Sequence, residues 1–183
     1  MKDENLLILY SGGSDSRLLL ELALKMKKRP YCILIDYGQK HIKELDFAKI
    51  QLNNNNVDYR YVRIKGLRIN SGLTGDNVES QYEGVHSMMV PSRNLMFISI
   101  AAGIAEDMKI DTIWYGANNE DYINKFPDCN QEWVGRVNET LEINSSIPIK
   151  LETPLMGFSR EAVLSLSNYF GIEQKNVFSG YGD

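Results

Sequence analysis

The sequence predicts an α/β fold in which a parallel sheet is covered by helices on both faces. Short apolar runs alternate with longer segments of helical pattern along the 183 residues. The apolar runs are nearly continuous rather than interleaved with polar residues, which is typical of strands buried on both faces. We find no internal repeat and no linker, so we expect one domain over residues 1–183.

The first half of the chain is predicted to contain three strands and two helices. The predicted strands are Leu6–Tyr10, Tyr31–Asp36 and Tyr59–Ile64. The predicted helices are Arg17–Lys28, which is rich in Leu and Ala and ends in basic residues, and Lys40–Leu52. We expect Pro30 to stop the first helix and the asparagine run 53–56 to end the second.

The second half is predicted to begin with a long loop, because residues 66–90 have no clear period and contain several Gly, Ser and Asn residues. The elements predicted after it are a helix at Asn94–Glu106, a strand at Thr112–Tyr115, a polar loop at Gly116–Asn130, a helix at Gln131–Ile143 and a strand at Ile147–Leu151. A last helix is predicted from the N-cap Ser159 through Phe170, with Gly171 as its C-cap.

The composition excludes several classes of protein. With 43% hydrophobic and 24% charged residues, the chain does not have the composition of a disordered protein, and its net charge of −4 argues against a broad nucleic-acid-binding face. No apolar run approaches the roughly 20 residues of a membrane span. The acidic start leads directly into a predicted strand, so we expect no signal peptide and a cytoplasmic location.

The most informative local motif is Ser11-Gly12-Gly13-Ser14-Asp15-Ser16, between the first strand and the first helix. The glycines let the backbone turn tightly, and the helix start beyond them offers free N–H groups to an anion. Because the motif contains no lysine, we expect Ser11, Ser16 and backbone amides to bind phosphates and Asp15 to hold Mg²⁺ between them. The alternative is an ordinary strand–turn–helix in which a Ser or Asp caps the helix.

This motif resembles the SGGxDS signature of the PP-loop, or N-type ATP pyrophosphatase, superfamily. The resemblance implies an adenine nucleotide alpha-hydrolase-like, Rossmann-like fold, with ATP and Mg²⁺ as cofactors. It also implies cleavage between the α- and β-phosphates, an adenylated substrate, and release of AMP and pyrophosphate. The small number of cysteines disfavours the sulfur-transfer enzymes of the superfamily, but the motif alone does not choose among its ligases.

Four further segments resemble the 7-cyano-7-deazaguanine synthase family of the queuosine pathway, in order along the chain between Leu6 and Gly171. They are Asp36-Tyr37-Gly38-Gln39-Lys40-His41, Val90-Pro91-Ser92-Arg93-Asn94-Leu95, residues 116–122 followed by Phe126-Pro127-Asp128-Cys129, and Thr153-Pro154-Leu155-Met156. The resemblance implies that Asp36 joins Ser11 to Ser16 in ATP binding, and that Asp15, Ser16 and Arg93 take part in catalysis. It implies substrate contacts from Tyr37, Gln39, Arg93, Asn94, Asp121, Tyr122, Phe126, Pro127 and Asp128.

These side chains suit a 7-carboxy-7-deazaguanine substrate. One carboxylate, Asp121 or Asp128, can accept both adjacent N–H donors of the guanine edge, and Arg93 suits the substrate carboxylate or the ATP phosphates. The aromatic candidates to stack on the flat ring are Tyr122, Phe126 and Trp133. Each has an ordinary structural alternative: Arg93 pairing with Asp128, an aromatic side chain packing in the core, or acidic residues on a solvated loop.

The implied reaction begins with attack of the substrate carboxylate on the α-phosphate of ATP. Ammonia then displaces AMP to give 7-amido-7-deazaguanine, and in the family a second ATP drives dehydration to the nitrile. No glutaminase-like extension fits within this length, so we expect ammonia from solution or from another protein. The partners expected are small molecules rather than nucleic acid or membrane, and the family implies a homodimer.

The C-terminal sequence departs from the family pattern. The family ends in zinc-binding cysteines, whereas residues 179–183 read Ser-Gly-Tyr-Gly-Asp, and Cys32 and Cys129 with the two histidines form no zinc motif. We therefore expect a shortened, zinc-free member, and hypothesise that it stops at the amide. Two other hypotheses stay open: a PP-loop ligase for a different carboxylate, and a catalytically silent nucleotide-binding paralogue.

Overall fold

The structure is a computed structural model that describes residues 5–39, 43–66, 90, 92–118 and 126–172. Nearly all of the loop predicted at 66–90 lies outside the described residues. So do His41, Asp121 and Tyr122, and the C-terminal residues 173–183.

The described residues form five strands and five helices that alternate along most of the chain. The strands are β1 Asn5–Leu9, β2 Arg29–Asp36, β3 Tyr59–Arg63, β4 Thr112–Trp114 and β5 Lys150–Glu152. The helices are α1 Ser14–Lys25, α2 Lys43–Asn54, α3 Arg93–Met108, α4 Gln131–Asn144 and α5 Arg160–Tyr169. All strand pairs are parallel, in the order β3-β2-β1-β4-β5, which confirms the predicted parallel α/β fold.

Two apolar clusters cover the two faces of the sheet. Leu6 and Ile8 of β1 point into a cluster with α1, α2 and α5, whereas Leu7 points into a cluster with α3 and α4. This alternation places successive residues of one strand on opposite faces, and both faces are apolar because both are covered. Helices on both faces are therefore confirmed. No helix in the described ranges has the length and apolar character that crossing a membrane requires.

The strand order reverses direction at β1. The chain runs outward from β1 through β2 to β3, and then returns to place β4 on the other side of β1. In open parallel sheets, ligands bind in the crevice at the carboxyl ends of the two strands that flank such a reversal. Here the segment after β4 is in contact with the segment after β1. A Cβ added to Gly116 would lie 3.4 Å from the Cβ of Asp15.

The first helix differs from its prediction at both ends. It begins at Ser14 rather than Arg17, because Gly13 is its N-cap, so half of the serine-glycine motif is its first turn. It ends at Lys25, and Pro30 does not stop it but lies within β2. Proline is tolerated there because β3 pairs with β2 only from Cys32 onward, so no neighbouring strand on that side requires a donor at Pro30.

The last strand and helix show one wrong boundary and one confirmed cap. β5 covers Lys150–Glu152 rather than Ile147–Leu151, because its partner β4 is only three residues long and pairs with those residues alone. Ser159 is the N-cap of α5, as predicted, and its side chain accepts the Ala162 N–H. The C-cap is Phe170, and Gly171 follows it with φ of +68°.

Candidate functional site

A cavity of about 370 Å³ lies at the carboxyl ends of β1, β2 and β4, a size in the range of small-molecule sites. The predicted site residues that line it are Ser11, Gly13, Ser14, Asp15, Ser16, Tyr37, Gln39, Arg93, Asn94 and Phe126. Four others, Gly12, Asp36, Pro127 and Asp128, are described but lie outside this lining. The structure thus brings residues of four distant motifs, those after β1, after β2, at the start of α3 and after β4, to one cavity.

The turn after β1 is organised around the Ser16 hydroxyl. Its Oγ accepts the backbone N–H groups of Ser11 (3.3 Å) and Gly12 (3.2 Å) and donates to the Gly13 carbonyl (3.0 Å). The side chain is almost fully buried, at 5% exposure. An oxygen therefore already sits where these amides converge, at the N-terminus of α1, where the helix dipole favours an anion.

Asp15 is the acidic side chain of this turn, and it faces the cavity. Its Oδ2 accepts the Asn118 amide at 3.1 Å, and its Oδ1 accepts the Ser14 hydroxyl at 3.3 Å. Burial raises the pKa of the Asp15 carboxyl, while the bonds from Asn118 and Ser14 and the charge of Arg160 act in the opposite direction. Its charged form is incompletely compensated, so a cation brought into the cavity would stabilise it.

Asp36 ends β2 and has a different environment. Tyr61 donates to its Oδ2 at 2.6 Å, Arg63 Nε to the same atom at 2.8 Å, and the Gly38 N–H to Oδ1 at 3.1 Å. Burial raises the pKa of Asp36, but these hydrogen bonds and the charge of Arg63 outweigh it and lower the pKa below its usual value. This carboxylate joins the ends of β2 and β3; its role in ATP binding stays a prediction.

Arg93, the first residue of α3, contacts residues from two of the predicted segments. Its NH1 donates to the Tyr37 hydroxyl at 3.3 Å and its Nε to Asn94 Oδ1 at 3.2 Å. The Asn94 amide donates in turn to Asp128 Oδ2 at 2.7 Å. Asn94 therefore connects the arginine to the carboxylate that the sequence suggested as its partner, and Asp128 itself is also close to the Cys129 thiol, at 3.7 Å.

An aromatic and aliphatic wall lines the part of the cavity near Arg93. The Tyr37 and Phe97 rings are 5.2 Å apart, and Phe126 with Ile33 and Ile35 continues the apolar surface. Such a wall can receive a flat heterocycle. Trp133, the other described stacking candidate, packs in the cluster between the sheet, α3 and α4.

Several residues that line the cavity were missed by the sequence reasoning, and two of them act on Asp15. Asn118 follows β4 and donates to Asp15, and Arg160 begins α5 and lowers the Asp15 pKa through its charge. Their position along the chain could have identified them, because each comes after a strand of a parallel sheet, at the carboxyl end where ligands bind. Tyr115 and Cys129 also line the cavity, and burial raises the pKa of Tyr115 well above its usual value.

The residues of the turn fit a magnesium ion that arrives with phosphates. Asp15 offers carboxylate oxygens, the hard ligands that Mg²⁺ prefers, and the rest of its coordination would come from phosphate and water oxygens. Among the described residues, no group of three His, Cys, Asp or Glu side chains is arranged to hold a metal by itself. The Cys32 thiol is fully buried in β2, and burial raises its pKa.

Comparison with known sequences places this chain in a family. The family described as queuosine biosynthesis protein QueC matches residues 5–183. A 7-cyano-7-deazaguanine synthase from Alteromonas mediterranea is 32% identical over 185 residues, covering 97% of this chain and 84% of that protein. The corresponding protein from Persephonella marina is 34% identical over 194 residues, covering 98% and 84%.

Solved structures share the fold at low sequence identity. A tRNA thiolase, NcsA, from Methanococcus maripaludis aligns with a TM-score of 0.64 at 16% identity, covering 98% of this chain and 60% of its own. An NH₃-dependent NAD synthetase from Campylobacter jejuni aligns with a TM-score of 0.62 at 12% identity, covering 100% and 71%. These similarities confirm the PP-loop type of α/β fold.

Proposed function

The chain belongs to the QueC family of queuosine biosynthesis proteins, and we propose that it adenylates 7-carboxy-7-deazaguanine and amidates it with ammonia in the cavity between β1 and β4. As a member of this family it is an ATP-dependent ligase with a role in 7-deazaguanine biosynthesis. The observation that carries the proposal concerns the turn at residues 11–16, which we call the phosphate loop. Its residues Asp15 and Ser16 line the same cavity as Arg93 and the aromatic wall.

The turn after β1 supports binding of the ATP phosphates. Backbone amides converge at the start of α1, and the turn contains two serine hydroxyls beside them, Ser11 and Ser16. With ATP bound, Mg²⁺ at Asp15 would neutralise charge that develops on the phosphates. Because Ser16 already holds the turn through three hydrogen bonds to its backbone, the donors are ordered before the nucleotide arrives, which lowers the entropy lost on binding.

The substrate carboxylate needs no general base in the first step, because it is ionised at neutral pH. One of its oxygens attacks the α-phosphorus, the bond between that phosphorus and the bridging oxygen breaks, and pyrophosphate leaves. Neutral ammonia then attacks the acyl carbon, AMP leaves with the carboxylate oxygen, and the nitrogen loses a proton to give the amide. The protein's contribution is to place two anions, the triphosphate and the acid, within reach of each other.

The test is a reaction of the purified protein with ATP, Mg²⁺, ammonium and 7-carboxy-7-deazaguanine, analysed by chromatography and mass spectrometry. We expect AMP and pyrophosphate in step with the 7-amido product, and the same spectra show whether the amide or the nitrile accumulates. Dominant accumulation of the nitrile would overturn the early stop at the amide. An absence of acid-dependent AMP formation would overturn the proposed function, and formation with a different acid in a substrate panel would identify another ligase.

Asp15→Asn tests the role of the phosphate loop in this reaction. We expect a loss of turnover of at least about 100-fold, because the variant keeps the shape of the side chain and removes the charge that faces the cavity. The matched control is Asp107→Asn at an exposed carboxylate that forms a 3.9 Å ion pair with Arg60. Turnover retained by the Asp15 variant would contradict the assignment.

A further inference from the structure

The first residues of three helices line the cavity, and two of these residues are arginines. The first residues of α1, α3 and α5 are Ser14, Arg93 and Arg160, and all three line the cavity. This arrangement follows from the parallel sheet, since each helix that follows a strand starts near the carboxyl edge. The two guanidinium groups therefore reach the cavity from different helices.

Arg160 is associated with the phosphate-loop part of the cavity. It is the first residue of α5 and lines the same cavity as Asp15 and Ser16. Val163 and Leu164, one turn further along α5, also line the cavity, and Val163 packs in the same apolar cluster as Leu18 and Leu19 of α1. This packing holds the start of α5 beside the start of α1.

Arg93 is associated with the aromatic part. Its guanidinium carbon lies 5.9 Å from the centre of the Tyr37 ring, and it donates to the Tyr37 hydroxyl and to Asn94. Tyr37 in turn packs against Phe97. This arginine therefore stands beside the surface that suits a flat ring, whereas Arg160 begins the helix that packs against α1.

We propose that the two arginines divide the two anions of the reaction between them: Arg160 binds the β- and γ-phosphates of ATP, and Arg93 binds the carboxylate of the acid. The proposal rests on the proposed function for the acid and on the phosphate loop for ATP. The loop itself contains no lysine, and Arg160 is a cationic side chain that reaches the same cavity from another helix. Guanidinium groups suit both anions, because each can bind two oxygens at once.

Titration calorimetry of single ligands tests this division without any turnover. The ligands are α,β-methylene-ATP with Mg²⁺, AMP, and 7-carboxy-7-deazaguanine. We expect Arg160→Gln to weaken the triphosphate about tenfold or more while AMP and the acid change less than about twofold, and Arg93→Gln to weaken the acid about tenfold while the triphosphate is unchanged. Arg160→Lys should recover part of the triphosphate affinity, because lysine restores the positive charge but not the paired N–H donors of the guanidinium group.

The control is Arg136→Gln, an exposed arginine on α4 paired with Glu139, which should leave all three affinities unchanged. Equal weakening of the triphosphate and AMP by Arg160→Gln would assign Arg160 a general structural role and overturn its half of the proposal. Weakening of the triphosphate rather than the acid by Arg93→Gln would overturn the other half. If the unaltered protein binds the triphosphate but not the acid, the proposed function fails. The role of Arg160 is then still tested by the affinities for α,β-methylene-ATP and AMP.

Discussion

Replacement of Gly12 by alanine is expected to destabilise the protein at the turn that begins the site. Gly12 has φ of +86°, a backbone conformation that residues with a Cβ rarely adopt. An added Cβ would lie 3.0 Å from the Ala48 Cβ and 3.2 Å from the Glu44 carbonyl oxygen. Both neighbours belong to α2, and one of them is backbone, so the contact cannot be relieved by a simple change of rotamer.

The magnitude follows from these two terms. A left-handed conformation costs a residue with a Cβ about 1–2 kcal/mol. Overpacking against a buried helix typically costs about 1–3 kcal/mol. The free energy of unfolding should therefore fall by roughly 2–5 kcal/mol, and for a chain of this size even the lower end lowers the melting temperature by about 4 °C or more.

Thermal and urea unfolding measure this effect, with a second glycine as the control. Gly103 lies within α3, with nothing within 4 Å of an added Cβ, so Gly103→Ala should raise the free energy of unfolding by about 0.5–1 kcal/mol. Combining Gly12→Ala with Ala48→Gly removes the closest side-chain contact but not the conformational term, so the double variant should show favourable coupling between the two sites. A Gly12→Ala protein as stable as the Gly103→Ala protein would refute the reasoning.

Two further predictions concern the aspartates. Asn118→Leu removes a donor that lowers the Asp15 pKa, so the acidic limb of the kcat/KM profile should move to higher pH, and an unmoved limb would contradict the role of Asn118. Asp36 has a lowered pKa in the folded protein, so its ionised form contributes stability above about pH 4, lost as the pH falls through the folded pKa. Asp36→Asn should therefore lower the urea midpoint more at pH 7 than at pH 3, and an equal loss at both would count against the ion pair with Arg63.

The strands could be predicted from the sequence where burial determines which residues are apolar. They were harder to predict where their bounds depend on hydrogen bonding to a neighbouring strand. β1 and β2 are continuous apolar runs because helices cover both faces, and such runs are legible without a structure. β5 was misplaced because Ile147 and Ile149 belong to the same apolar stretch, although hydrogen bonding to β4 begins only at Lys150. The length of a partner strand is a long-range property that a local pattern does not contain.

The helix boundaries show the same limit. Ser14, Asp15 and Ser16 have modest helix propensity, which favours a turn over a helix when they are considered alone, yet they form the first turn of α1 because Gly13 caps it. At the other end, Lys27 takes φ of +57° without being glycine, so the end of this helix carries no glycine signal. Local propensity describes these residues correctly and is overridden by the surrounding packing.

The site was predictable where its residues are adjacent in sequence. The motif around Asp15 is continuous, and so is the pair Arg93 and Asn94, and apart from Gly12 all of these line the cavity. Asn118 and Arg160 are more than a hundred residues from the carboxylate they influence, and their local sequences suggest only a loop and a helix start. The rule that ligands bind at the carboxyl ends of parallel strands identifies the right edge, but the contacts across it depend on the strand order.

The contrast between Asp15 and Asp36 indicates which carboxylate is available to a ligand. Asp36 ends β2 and Asp15 comes after the neighbouring strand β1, at the same edge of the sheet, and burial by itself acts to raise the pKa of both. Asp36 receives three hydrogen bonds, one from a guanidinium, and its pKa falls, so further cationic partners would add little to its stability. Asp15 receives two neutral donors, and its pKa remains raised, so a cation gains more there. The fold thus uses one aspartate to join two strands and leaves the other incompletely compensated inside the cavity. Under the proposed function, the Mg²⁺ ion that accompanies ATP would supply the missing positive charge.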